Sequence, residues 1–122
     1  PPRSTLFPYT TLFRSFYNNP GCSVNGNINF NDWVSNVANT RSAGAKIFIG
    51  VPASPLAATG TSSGSQYYLD PNSLATLVNQ YKSNSAFGGV MMWSAGYSDS
   101  NVNNGCTYAQ EAKSILTKGS AC

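Results

Sequence analysis

The chain contains no histidine, only 9% charged residues and four carboxylates, Asp32, Asp70, Asp99 and Glu111. Without imidazole, and with three cysteines that show no Cys-x-x-Cys spacing, it offers no ligand set for zinc, so neither a metal nor another cofactor is expected. No apolar run approaches the roughly 18 residues of a membrane span. The N-terminus also lacks the charged start, apolar middle and small-residue cleavage site of a targeting signal. Seven Lys and Arg give a formal charge of +3, but without Arg3 and Arg14 five remain against the four acids, a balance of +1 from Phe16 onward. That balance argues against a nucleic-acid or anionic-membrane partner.

What is present is a neutral polar surface rich in Asn, Ser, Thr and Gly, a composition that suits an extracellular protein. Cys106 and Cys122 are spaced to close a short loop around the last helix, leaving Cys22 odd; the alternative is three buried free thiols. From Phe16 onward no Asn-x-Ser/Thr glycosylation acceptor occurs. Residues 1–15, PPRSTLFPYTTLFRS, repeat the triplet Thr-Leu-Phe, and the stretch from Thr5 to Ser15 resembles the conceptual translation of a sequencing-adapter oligonucleotide. Two segments are therefore expected, residues 1–15 as non-native sequence and residues 16–122 as the domain to be explained.

Within 16–122 strand-like and helix-like patterns alternate. Phe16 and Tyr17 read as the end of a strand broken by Asn18, Asn19, Pro20 and Gly21. Phe30, Trp33, Val34, Val37 and Ala38 recur at helical spacing, with Asn31 as N-cap and Gly44 as C-cap. Residues 46–51, KIFIGV, form a β-rich apolar run stopped by Pro52. Asp70 before Pro71 predicts a helix start, with Leu74, Leu77, Val78 and Tyr81 on its buried face. A third strand opens at Gly88 and Gly89 and ends on Trp93. A last helix from about Tyr108 to Lys118 is expected to bury Ala112, Ile115 and Leu116. The order βαβαβα implies an α/β class with a parallel sheet, either an open doubly wound sheet or part of a barrel. Three such units leave exposed strand edges, so the segment reads as part of something larger and is not expected to fold cooperatively alone.

The stretch GGVMMWSAGYSD, residues 88–99, ends its apolar run on a tryptophan. In parallel α/β folds the C-terminal ends of strands carry ligand-contacting side chains. Strand alternation puts Met91 on the face of Trp93 and Met92 on the other, against a helix.

Together with FYNNP (16–20) and KIFIGVPASP (46–55), this stretch resembles the last three strand-and-loop units of class III endochitinases of glycoside hydrolase family 18, in their fungal, hevamine-like branch. The resemblance implies the C-terminal portion, strands six to eight with their helices, of a (β/α)8 TIM barrel. It also implies a secreted protein, extracellular or in the cell wall, whose substrate is chitin or a chitooligosaccharide; a monomer is expected. The implied reaction is retaining hydrolysis of β-1,4-linked N-acetylglucosamine, assisted by the substrate's own acetamido group. Its catalytic acid lies in an Asp-x-Asp-x-Glu pattern that this chain lacks, so the chain is expected to be inactive alone.

On the same resemblance Tyr17 supports the transition state through its hydroxyl and Trp93 forms the floor of a sugar subsite. The bland alternatives are a turn-packing tyrosine and a core tryptophan. Met91 is expected to line the barrel beneath the sugar. Asn18 either hydrogen-bonds sugar hydroxyls or shapes the turn. Ala53 and Ser54 lie at the rim, facing the cleft or serving only as loop, and Tyr97 and Asp99 read as loop and capping residues. Cys22 is expected to pair with a cysteine upstream of Phe16. A different class of function, a non-catalytic lectin-like or glycosidase-inhibitor relative of the same barrel, stays open, as does an unrelated small α/β domain.

Overall fold

A computed structural model describes the backbone of residues 13–15 and all of residues 28–122. Phe16, Tyr17, Asn18 and Cys22 lie outside the described residues, and with them the FYNNP stretch.

Three parallel strands, β1 (Phe13–Ser15), β2 (Ile47–Pro52) and β3 (Phe87–Trp93), make one sheet in the order β1-β2-β3. Helix α1 (Phe30–Ala38) connects the first two, and α2 (Pro71–Tyr81) connects β2 to β3 after a loop that contains one 3-10 segment, Ser62–Tyr67. A short helix α3 (Ala95–Ser100), a hairpin of β4 (Val102–Asn103) and β5 (Cys106–Thr107), and helix α4 (Tyr108–Lys118) complete the chain. The α/β reading holds for these residues. The strand paired with β2 lies at Phe13–Ser15, just upstream of the Phe16–Tyr17 end expected for it and within the segment read as non-native. A ladder of backbone bonds does not depend on where its side chains came from, so this pairing carries no information on that origin.

Strand alternation builds the core. Ile47, Ile49, Val51 and Ala53 point to one side of β2 and are buried. They pack with Phe30 and Val37 of α1, Leu74 and Val78 of α2, and Tyr108, Ala112 and Ile115 of α4. Each large aliphatic removed from water here stabilises the fold by about 1.5–3 kcal/mol, enough to decide which face the helices cover. β3 follows the same rule after one irregularity: Ile47 pairs with Phe87 but Phe48 pairs with Gly89, which leaves Gly88 as the extra residue of a bulge. The bulge lets Phe87 on one side of it, and Val90 and Met92 on the other, all reach the helix-covered core. A Cβ at Gly88 would come within 2.5 Å of the Phe48 ring, so glycine is what lets that ring lie over the bulge.

The helix ends differ in how well their residues declare them. Asp70 caps α2 as expected, accepting from the amides of Asn72 and Ser73 at 3.0 and 3.1 Å, with Pro71 behind it. For α1 the cap is Asn29 instead of Asn31, because buried Phe30 is already the first helical residue. The same helix stops at Ala38, well short of Gly44. There the Thr40 hydroxyl bonds the Val37 carbonyl at 2.8 Å and offers the backbone a turn in place of another helical residue.

α4 begins on a capping box in which Thr107 and Gln110 satisfy each other's amides, and ends at Gly119 with φ +85°. Its Leu116 was expected inside but is 40% exposed, lying one step off the stripe of Ala112 and Ile115. Cys106 and Cys122 form a disulfide, 16 residues apart, that ties the start of α4 to the tail beyond it. Among the described residues no helix is long and apolar enough to cross a membrane.

Candidate functional site

The C-terminal edge of the sheet is where the last residues of β2 and β3, Pro52 and Trp93, pair. One residue further, the Ala53 amide donates to the Trp93 carbonyl at 2.7 Å and extends the ladder by a step. Trp93 itself is 55% exposed, which is unusual for an indole closing a buried strand. Met91, two residues back on its face, is half-buried opposite Gly50, which contributes no side chain there. Met92 turns the other way into the helix-covered core, as alternation requires. The peptide bond between Trp93 and Ser94 is cis. Ser94 then caps α3, its carbonyl accepting from the Ser98 amide at 2.9 Å.

Two rim residues face inward. Ala53 and Ser54 are buried, and Ser54 Oγ accepts from the Leu56 amide at 3.3 Å, a bond within the loop. The exposed apolar residue of that loop is Leu56. Tyr97 packs against the core, while the buried Ser98 accepts through Oγ from the Ala109 amide at 2.8 Å and so helps start α4. Asp99 is exposed on α3.

A polar group behind the edge was not anticipated. Asn101 Nδ2 donates to the Ala53 carbonyl at 2.9 Å and to the Tyr68 hydroxyl at 3.0 Å, and its Oδ1 accepts from Asn103 Nδ2 at 3.2 Å. Tyr68 lies against Tyr108 with ring centroids 5.6 Å apart, and the Tyr108 hydroxyl donates to the Leu69 carbonyl at 2.8 Å. Burial pushes both phenols above the usual tyrosine range; for Tyr68 the Asn101 hydrogen bond acts in the opposite direction. Both therefore act near neutral pH as hydrogen-bonding hydroxyls, not as acids. Nothing in the run Asn101, Val102, Asn103, Asn104 marks out the first asparagine from the others; only the contact across 48 residues does.

Two of the carboxylates have structural work of their own. Asp70 caps α2, with its carboxyl held below the usual range by hydrogen bonds from Ser73 above all. Glu111 is fully buried on α4, with Oε2 accepting from the Cys122 amide and Oε1 without a partner. Asp32 stands in the first turn of α1. Among the described residues no group of three or more Cys, Asp or Glu side chains comes together. A cavity of about 520 Å³ lies between α1 and α2, lined by Asn31, Asp32, Ser73, Thr76 and Gln80 among others, and no residue of the sheet edge lines it. The described side chains at the edge, Trp93 and Met91, offer apolar contact.

No family model matches the chain. Among curated proteins it is similar to Endochitinase 2 of Metarhizium robertsii, 61% identical over 119 aligned residues that cover 91% of this chain and 28% of that protein. It is also similar to Endochitinase A of Aspergillus niger, 38% identical over 118 residues covering 89% of this chain and 9% of that protein. A third relative, Endochitinase A1 of Aspergillus fumigatus, is 36% identical over 114 residues, covering 86% and 13%. The chain is thus homologous to part of fungal endochitinases, and spans 28% or less of the length of these three.

Proposed function

We propose that residues 16–122 are the C-terminal part of a chitinase catalytic domain of glycoside hydrolase family 18, contributing its last three strand-and-helix units to a (β/α)8 barrel. The exposed Trp93 at the C-terminal edge of a parallel sheet carries this reading. An indole left open at that edge presents a flat apolar face to a ligand, and a pyranose ring has an apolar face that stacks on it. The likeness to fungal endochitinases supports chitin or a chitooligosaccharide as the ligand. In this reading Trp93 is the floor of a sugar subsite and Met91 shapes the wall beneath it. The family resemblance assigns the acetamido group to the Tyr17 hydroxyl and sugar hydroxyls to Asn18, both of which lie outside the described residues.

The proposed parent reaction is retaining and substrate-assisted, with the acetamido oxygen attacking the anomeric carbon while a carboxylic acid protonates the leaving oxygen. In this reading the chain supplies no such acid: no Asp-x-Asp-x-Glu occurs, Asp70 and Glu111 are committed elsewhere, and Asp32 and Asp99 stand singly on α1 and α3. Positioned stacking alone contributes binding without protonation, so the segment requires upstream residues for catalysis. A secreted parent, extracellular or in the cell wall, fits the neutral polar surface and the disulfide. A second reading, a non-catalytic lectin-like or inhibitor relative of the same barrel, would use the same segment. The presence or absence of Asp-x-Asp-x-Glu in the coding sequence upstream of Phe16 decides between the two.

The test grafts residues 16–122 in place of the matching part of Metarhizium robertsii Endochitinase 2 and follows a chromogenic chitobioside. The graft is expected to turn over, and the 122-residue chain alone to stay at buffer level. Trp93→Ala in the graft is expected to raise KM about 30-fold, the roughly 2 kcal/mol of a buried aromatic anchor. Turnover by the chain alone, or an unchanged KM for Trp93→Ala, would overturn the proposal.

A further inference from the structure

Trp93 is exposed, yet something must fix the plane of its ring if the ring is to act as a platform. β3 ends at this residue, and the ladder beyond it consists of the Ala53 amide donating to the Trp93 carbonyl at 2.7 Å. The other side of Ala53, its carbonyl, is held by Asn101 at 2.9 Å. Asn101 spends its second N–H on Tyr68, and Tyr68 is braced against Tyr108, which is buried in the core. A chain of contacts thus runs from the core through Tyr68 and Asn101 to Ala53 and Trp93. Asn101 is the member that crosses from the segment after β3 to the loop after β2.

We propose that Asn101 is a positioning residue: by fixing the Ala53 backbone it sets the orientation of the Trp93 indole. As a consequence it sets the affinity of the edge for a sugar ring, a step that rests on the carbohydrate reading given above. Both donors of the Asn101 amide are used within the protein, so Asn101 acts on a ligand through Trp93 and not by touching it. Aspartate has the same shape but would turn a carboxylate oxygen toward the Ala53 carbonyl, losing the donor and adding repulsion.

The experiment uses the graft labelled with fluorotryptophan, the Trp93 signal being assigned by its loss in Trp93→Phe. In Asn101→Asp the Trp93 fluorine resonance is expected to shift or broaden. KM for the chitobioside is expected to rise about tenfold with kcat nearly unchanged, the effect of about one lost hydrogen bond. A lowered melting temperature with both resonance and KM unchanged would overturn the proposal. If Asn101→Asp does not fold, Tyr68→Phe removes one acceptor of the same amide and keeps the ring on Tyr108. It is expected to shift the resonance and to raise KM about threefold, and no change in either overturns the proposal. The two readings fail separately. An unchanged KM in Trp93→Ala sinks the sugar reading, while the fluorine signal still decides whether Asn101 orients the indole.

Discussion

The two faces of one small sheet behave in opposite ways although they come from alternate residues of the same strands. On one face Ile47, Ile49 and Val51 are sealed by helices that all lie within this chain. On the other, Phe48, Gly50, Pro52, Gly89, Met91 and Trp93 follow in register; Gly50, Pro52 and Gly89 are buried, Phe48 and Met91 half-buried, and Trp93 at the C-terminal end stands open. The covered face carries stability and is complete by itself. The open face alternates glycine with large apolar residues, a pattern that makes room for other groups instead of filling space.

The largest effect that tests this contrast is cooperativity itself. Sheet edges that would pair within a full barrel leave the segment without the burial that makes unfolding all-or-none, and Trp93 adds an exposed indole. The 122-residue chain alone is therefore expected to bind a hydrophobic dye and to melt over a broad range, whereas the graft melts sharply. A sharp transition for the chain alone, with calorimetric and van't Hoff enthalpies equal, would show that the open face needs no covering.

The disulfide tests the covered face next. Cys106 and Cys122 close a loop of 16 residues around α4, the helix that supplies Tyr108, Ala112 and Ile115 to the core. Replacing both by serine in the graft is expected to cost about 3 kcal/mol of unfolding free energy, as loop-closure entropy gives for this length, read by denaturant titration. KM in the same variant is expected to stay unchanged, because Tyr108, the α4 residue that braces Tyr68, keeps its place in the core without the disulfide. A joint loss of stability and affinity would mean that the disulfide is needed to hold Tyr108 against Tyr68, and through it Asn101.

Much of the covered face was legible in the residues. Apolar alternation in KIFIGV, helical spacing in α2 and α4, the Asp70-Pro71 start and the Cys106–Cys122 pair each follow from local chemistry; the structure departs from them in carrying β2 through Pro52, expected to stop it, and in exposing Leu116. Misplacements came where neighbours override propensity. α1 is capped two residues earlier than expected, at Asn29, because Phe30 is drawn into the core, and it ends early on a threonine hydroxyl. α3 escaped notice because six small and polar residues carry no periodic apolar stripe. The hairpin did have its signal, Asn104-Gly105, both at positive φ as a primed two-residue turn requires. The site was legible only where a single large side chain marked it. Trp93 announced itself, and Met91 and Met92 sorted by alternation, but Asn101 acts through a contact between distant segments that no local pattern records.

The smallest effect concerns how the covering helix α2 is started. Asp70 accepts two backbone amides and the Ser73 hydroxyl, the last at 2.7 Å, and these bonds hold its carboxyl below the ordinary 3.8. A group whose pKa is lowered on folding contributes stability that is fully present above its unfolded pKa and is lost as pH falls through the folded one. Asp70→Ala in the graft is therefore expected to cost about 1 kcal/mol at neutral pH, the usual worth of such a cap. The difference from the unsubstituted graft is expected to shrink as pH drops below 3.8, measured by denaturant titration across the acid range. Because the cap is exposed and remote from the sheet edge, KM is expected not to move. A gap in stability that stayed constant into strong acid would assign the effect to helix propensity instead of the charged cap. The covered face would then owe less to electrostatics at its helix ends than to the apolar stripe of Leu74 and Val78 behind them.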